Sequence, residues 1–311
     1  MGIAKSHTID NKKELIELLS SLAADMNYVF RGYSIQGQLL PSLIRNNAVD
    51  IESELLYEFE KYANHYVKAA NPIDFMSYAQ HFGMSTRLID FTFNPFIALY
   101  FSMFKDKAKN ATDPEDRIYY YVRYASLDEN ICLQEFPQRL ATNALRGEYV
   151  TPFPMGLDGA KSTNCDRWST WIQDFFKSKN PEPALLESRN VIGLSGTDSE
   201  QREKLLNKPI LFFDPNQSNQ RLIMQQGLFM YPYTLDTQEH SLIITQNTGL
   251  IKIHKDLRKE MQSYLDKIGI NAYRLMPDLS SVCEAVERQV KAKRKENSLL
   301  FKKRADVLCV H

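Results

Sequence analysis

A chain of 311 residues in which 38 lysines and arginines balance 38 aspartates and glutamates can bury a substantial core, and it has no net field to draw it onto nucleic acid or a membrane surface. Its four cysteines, Cys132, Cys165, Cys283 and Cys309, are scattered without CxxC spacing, which argues against a disulfide scaffold and against a zinc site. No stretch is long and apolar enough to insert in a membrane, and Met1 to Lys12 is polar with no apolar h-region, so the expected setting is the cytoplasm.

Asn11 followed by Glu14 has capping-box spacing and opens a helix over Lys12 to Ala24, with Leu15, Leu18, Leu19 and Leu22 on one face. A short strand over Asn27 to Phe30 follows and ends at Arg31-Gly32. Ser34 to Asn47 holds Pro41 among polar residues and reads as loop. Asp50 opens a helix to about Ala70. Asn71-Pro72 starts the next helix and Gly83 stops it, and Asn94-Pro95 repeats the start signal for a helix reaching Phe104. Met84 to Phe93 is the connector between these two helices. Arg117 to Ala125 is tyrosine-rich without a helical stripe and predicts a strand, as do Asn190 to Leu194 and Pro209 to Phe213.

Gln217 to Gln226 fits a helix ended by Gly227, and Leu228 to Tyr231 a strand. Ser241 to Gln246 and Leu250 to His254 fit a β-hairpin turning at Asn247-Thr248-Gly249. Asp256 to Ile268 predicts a helix closed by Gly269, and Leu279 to about Glu296 a last one. Strands and helices alternate without a βαβ rhythm, so the expected fold is α+β, a mixed or antiparallel sheet with flanking helices. Residues 1–287 read as one domain and 288–311 as a basic tail. Eight basic residues between Arg288 and Arg304 suit either contact with nucleic acid or anionic lipid, or a plain solvated helix face.

Three segments concentrate groups that could do chemistry. In Tyr28-Val29-Phe30-Arg31-Gly32-Tyr33 an arginine closes an apolar strand and a glycine follows. A guanidinium there suits a phosphate or carboxylate clamp, or a structural ion pair, and the glycine lets the backbone turn or a ligand approach. In Gln80 to Phe101, the residues His81, Ser85, Thr86, Arg87, Asp90, Thr92 and Tyr100 lie between apolar neighbours, and Arg87 and Asp90 are spaced to pair. In Asn219 to Phe229, Arg221 and Gln225 share a helix face ahead of Gln226-Gly227. There is no GxSxG, Walker loop, HExxH or GxGxxG, and His7, His65, His240, His254 and His311 lack ligand spacing, so no metal site is expected.

With these segments in order, the chain resembles the FRG domain family. Phe30-Arg31-Gly32 matches the signature. Gln80-His81-Phe82-Gly83 through Thr92, then Asn94-Pro95 to Phe101, matches the central motif, with Ser85 where many members have proline. Arg221 to Phe229 and Leu275-Met276-Pro277-Asp278-Leu279 resemble the later motifs, so the resemblance spans roughly residues 11 to 287.

A remoter similarity is to ADP-ribosyltransferases of the Arg-Ser-Glu type, in which an arginine ends the first strand, a serine or threonine motif follows, and a glutamate lies on a late strand. Arg31-Gly32 would be the first of these, Ser85-Thr86 the second, and Gln226 falls where the glutamate is expected. The similarity implies NAD as substrate and an ADP-ribosyltransferase-like fold. Arg31, Gly32, Thr86, Arg87, His81 and Tyr100 would bind NAD, while Arg31, Gln226 and Asp90 would serve the reaction. The acceptor, protein or nucleic acid, is not implied. The setting would be a bacterial toxin or phage-defence effector. Two other readings stand beside it: a non-catalytic module that binds a nucleotide or a partner, and a protein acting on nucleic acid through its tail.

Overall fold

The computed structural model describes residues 6–25, 27–63, 65–66, 72–104, 111–127, 131–133, 210–215, 220–232 and 235–276, with isolated positions between 283 and 294. The strand expected at 190–194, the helix expected over 279–296 and the basic tail lie outside these, apart from the isolated positions.

Eight strands form one mixed sheet. They are β1 (Ser6–Ile9), β2 (Tyr28–Tyr33), β3 (Ile89–Thr92), β4 (Tyr119–Ser126), β5 (Ile131–Leu133), β6 (Leu211–Phe213), β7 (Gly227–Tyr231) and β8 (Gly249–His254), in the order β1-β8-β4-β2-β3-β7-β6-β5. The outermost pairs, β1 with β8 and β5 with β6, are parallel, and every other pair is antiparallel. The helices are α1 (Lys12–Ala24), α2 (Ser42–Arg45), α3 (Glu52–Ala63), α4 (Pro72–His81), α5 (Pro95–Phe104), α6 (Pro114–Ile118), α7 (Gln220–Met224), α8 (Thr237–Asn247), α9 (Arg258–Lys267) and α10 (Ala272–Leu275). This is the expected α+β arrangement.

The strand alternation divides the core. Phe30, Val122, Tyr124 and Ile251 meet Leu15 and Leu19 of α1, Leu99 and Met103 of α5, and Met261 and Leu265 of α9. Val29, Tyr33, Tyr121 and Ala125 instead join Phe91, Phe212 and the Ile243–Ile244 pair of α8. A third cluster, around Leu56, Phe75, Met76, Leu88, Phe229 and Tyr231, ties α3 and α4 to β7.

Strand β2 does not end at Phe30. It runs through Arg31 and Gly32 to Tyr33, each residue paired with β4, so Arg31 lies within a strand. Gly32 makes no turn there. A methyl group in its place would stand 1.6 Å from the Ala98 carbonyl oxygen and 2.8 Å from the Ser102 nitrogen, so this glycine lets β2 and α5 pack in contact.

The hairpin expected around residue 247 is absent. Thr237–Asn247 is helical: the Asp236 side chain accepts from Gln238 N and Glu239 N, and buried His240, Ile243 and Ile244 recur at helical spacing. The β-branched run Ile243-Ile244-Thr245 favours a strand locally, and tertiary burial overrides it. Ser34 to Asn47 is not plain loop either. It contains a 3-10 turn at Gln36–Leu39 and then α2.

Gly32→Ala should destabilise the protein by on the order of 3 kcal/mol, the upper range for overpacking, because backbone rather than a side-chain tip must move. Urea unfolding monitored by circular dichroism would measure it.

Candidate anion-binding cleft

Strands β2 and β3 share one paired position, Phe30 with Thr92, whereas β2 pairs with β4 at six positions and β3 with β7 at four. Beyond that position the two strands separate, and a cleft with a cavity of about 300 Å³ opens beside them. Its walls come from β2, β3, α4, α5, α7 and the residues around α2.

Arg31 spans the separation. Its Nη1 donates to the Asp90 carbonyl at 2.6 Å and its Nη2 to the Gln38 carbonyl at 2.8 Å, and Nη1 lies 3.9 Å from Asp90 Oδ2. The side chain is 13% exposed, and its Nε is buried with no partner. Burial draws the guanidinium pKa below its ordinary value and the Asp90 carboxylate opposes this, while an arginine stays charged throughout. Arg31 also lies directly opposite Arg123 of β4. Like charges so placed repel, and the side chains part: Arg123 donates to Tyr33 Oη at 3.0 Å and to Thr248 Oγ1 at 2.8 Å.

Asp90, with a side chain 65% exposed, accepts from Gln80 Nε2 at 2.6 Å. Arg45 of α2, Arg221 of α7 and His81 at the end of α4 also line the cavity. Burial lowers the Arg45 pKa and Asp90 again opposes it. Among the described residues the lining thus holds three arginines and a histidine against one carboxylate, with rings of Phe30, Tyr33, Phe91, Phe101, Phe104 and Phe229. Such a surface favours an anion carrying a flat or apolar part.

Of the residues singled out by sequence, Arg31, Gly32, His81 and Asp90 line the cavity. Thr86, Arg87, Tyr100 and Gln226 are not among the lining residues. Arg87 pairs with Glu52 rather than Asp90. Its Nε donates to Glu52 Oε1 at 2.6 Å, Nη2 bonds Oε2, and Nη1 donates to Tyr231 Oη at 2.9 Å. Although burial pulls the Arg87 pKa down, the Glu52 carboxylate more than offsets it, and burial pushes the Tyr231 hydroxyl up to about 12.

Thr86 is buried. Its hydroxyl bonds the Gln80 side chain, and its backbone clasps α2 by accepting from Leu43 N and Ser42 Oγ, both at 3.1 Å. Tyr100 packs among Phe101 and Phe104 in the core. Gln226 occupies the tight turn into β7 with φ of 47°, and its carbonyl accepts from Phe93 N. Its neighbour Gln225 lines the cavity instead. Arg45 carries no local signal in the sequence, because its segment has the polar, proline-containing character of a loop. Arg221 was noted for its helix face only.

Residues 26–111 match the model of the FRG domain. Over that span the chain is similar to the FRG domain. The matched span holds Phe30-Arg31-Gly32, the whole motif from Gln80 to Phe101, and Arg31, Arg45, His81 and Asp90 of the lining; Arg221 lies outside it. Comparisons with the curated proteins and with the solved structures gave no match. Among the described residues, no helix is long and apolar enough to cross a membrane, and no group of three or more His, Cys, Asp or Glu is gathered to hold a metal ion.

Behind Arg31, His240 of α8 supports the 3-10 turn that carries the Gln38 carbonyl, with Nε2 at 3.3 Å from the Leu39 carbonyl oxygen. Burial lowers its pKa to about 4; the Leu39 hydrogen bond works against this and the charge of Arg31 adds to it. The unfolded chain therefore binds a proton that the native state excludes, and stability is fully present above about pH 6.5 and is lost as pH falls toward 4. His240→Met should remove part of this loss, on the order of 3 kcal/mol between pH 7 and pH 4. Urea midpoints of the two proteins across that range would show it.

Proposed function

We propose that the cleft binds a nucleotide, with NAD the first candidate, and that the protein is an ADP-ribosyltransferase-like enzyme. The observation that carries this is the gathering of Arg31, Arg45, Arg221 and His81 with aromatic rings around one cavity in a chain whose net charge is zero. The arginines suit the pyrophosphate. Phe101 and Phe104 suit stacking against a base or nicotinamide.

Transfer from NAD breaks the bond between nicotinamide and ribose C1′, the electron pair leaving with nicotinamide, and joins C1′ to an acceptor oxygen or nitrogen that gives up its proton. A carboxylate stabilises the positive charge that develops on the ribose. Asp90 is the acid proposed for that role, since it is the one carboxylate of the lining and Gln80 orients it. A role as a toxin or phage-defence effector belongs to the same proposal.

A second reading, capture of a nucleotide without turnover, draws support from Gln226. It stands where the resemblance to ADP-ribosyltransferases implies a glutamate, and it is not among the lining residues. The two readings separate on nicotinamide release from NAD by the purified protein, alone and with cell extract as acceptor source. The enzyme predicts release that falls at least ~100-fold in Asp90→Asn, with unchanged far-UV dichroism. No release by the wild type, together with a rise in melting temperature on adding NAD, would leave the binding module.

A further inference from the structure

We infer that the arginine of the Phe-Arg-Gly signature is a brace that sets the width of the cleft, and that Arg45 and Arg221 are the groups that receive the ligand's phosphate. This rests on the anion-binding part of the proposed function and not on the transfer reaction. Two N–H groups of Arg31 are committed to the carbonyls of Asp90 and Gln38, and its Nε is closed to solvent. To grip a phosphate with its fork, Arg31 would have to release the Asp90 and Gln38 carbonyls.

Arg45 and Arg221 are differently placed. Arg45 uses Nε on the Leu40 carbonyl at 3.1 Å, and its Nη atoms make no hydrogen bond or ion pair among the described residues. Arg221 is half-buried in the cavity wall, and its side chain has no hydrogen-bond or ion-pair partner among the described residues.

Both cations are positioned from the central motif. Thr86 holds α2, and with it Arg45, through Ser42 and Leu43. Thr92 Oγ1 donates to the Gln225 carbonyl at 2.7 Å, fixing the end of the segment that carries Arg221. Two arginines from separately anchored elements, beside Phe101 and Phe104, suit the pyrophosphate of a nucleotide or nucleotide-sugar.

The test is calorimetric titration of the full chain with inorganic pyrophosphate and with ADP-ribose, together with ligand-free thermal melts, for the wild type and for Arg221→Gln, Arg45→Gln and Arg31→Lys. Arg221→Gln and Arg45→Gln should each weaken both probes by ~10-fold or more while the free protein melts within about 1 °C of the wild type. Arg31→Lys, which keeps the charge but loses the fork, should lower the melting temperature by roughly 5 °C and change affinity by less than about 3-fold. If Arg31→Lys does not fold, the brace stands and the other two variants decide the receptors. Wild-type affinity in Arg221→Gln, or lost affinity with unchanged melting in Arg31→Lys, would overturn the inference. So would a wild type that binds neither probe. Pyrophosphate binding that depends on Arg221, without any nicotinamide release, would sink the transferase reading and leave this inference standing.

Discussion

The guanidinium of Arg31 reaches from β2 to the Asp90 carbonyl of β3 and the Gln38 carbonyl of the following turn, and the shape of the cleft depends on that reach. Two strands that part after one paired position leave backbone groups without ladder partners. Water would satisfy them and let the gap vary. A buried fork with fixed geometry ties the Asp90 carbonyl of β3 to the Gln38 carbonyl of the turn at a set separation. The arrangement is stable only with the neighbours the signature provides: Phe30 on the core face, and Gly32 letting α5 lie directly against the strand that carries the arginine.

The segment from Ser85 to Thr92 is dense in polar groups because it is a hub. Ser85 accepts from Asn46 Nδ2 at 2.8 Å, Thr86 clasps the start of α2, and Arg87 joins α3 and β7 through Glu52 and Tyr231. Asp90 meets Arg31 and Gln80, and Thr92 meets the turn before β7. The buried Arg87–Glu52 pair adds little net stability once desolvation is counted, but losing either partner would strand a charge, so the pair fixes which elements meet. Most of this chemistry is spent on assembling the walls. What remains facing the cavity is one carboxylate and a surplus of cations.

Much of the architecture was legible from local signals. Asn11, Asn94-Pro95 and Gly83 mark helix ends by chemistry that acts over a few residues, and α1, α4 and α5 begin or end where those residues stand. Propensity failed at Ile243-Ile244-Thr245, where burial against the sheet decides for helix. The candidate site was legible in part. Arg31 and Asp90 were visible as oddly placed charges, but their meeting depends on two strands separating, which no local pattern encodes. The pairing of Arg87 with Glu52, 35 positions away, is a tertiary choice that spacing to Asp90 misread. Arg45 carried no local signal at all.

A crystal structure of the protein with ADP-ribose tests the central claim most directly. The account predicts the pyrophosphate between Arg45 and Arg221, with Arg31 still bonded to the Asp90 and Gln38 carbonyls. Pyrophosphate held by Arg31 after release of those carbonyls, or density for the ligand away from this cleft, would contradict it.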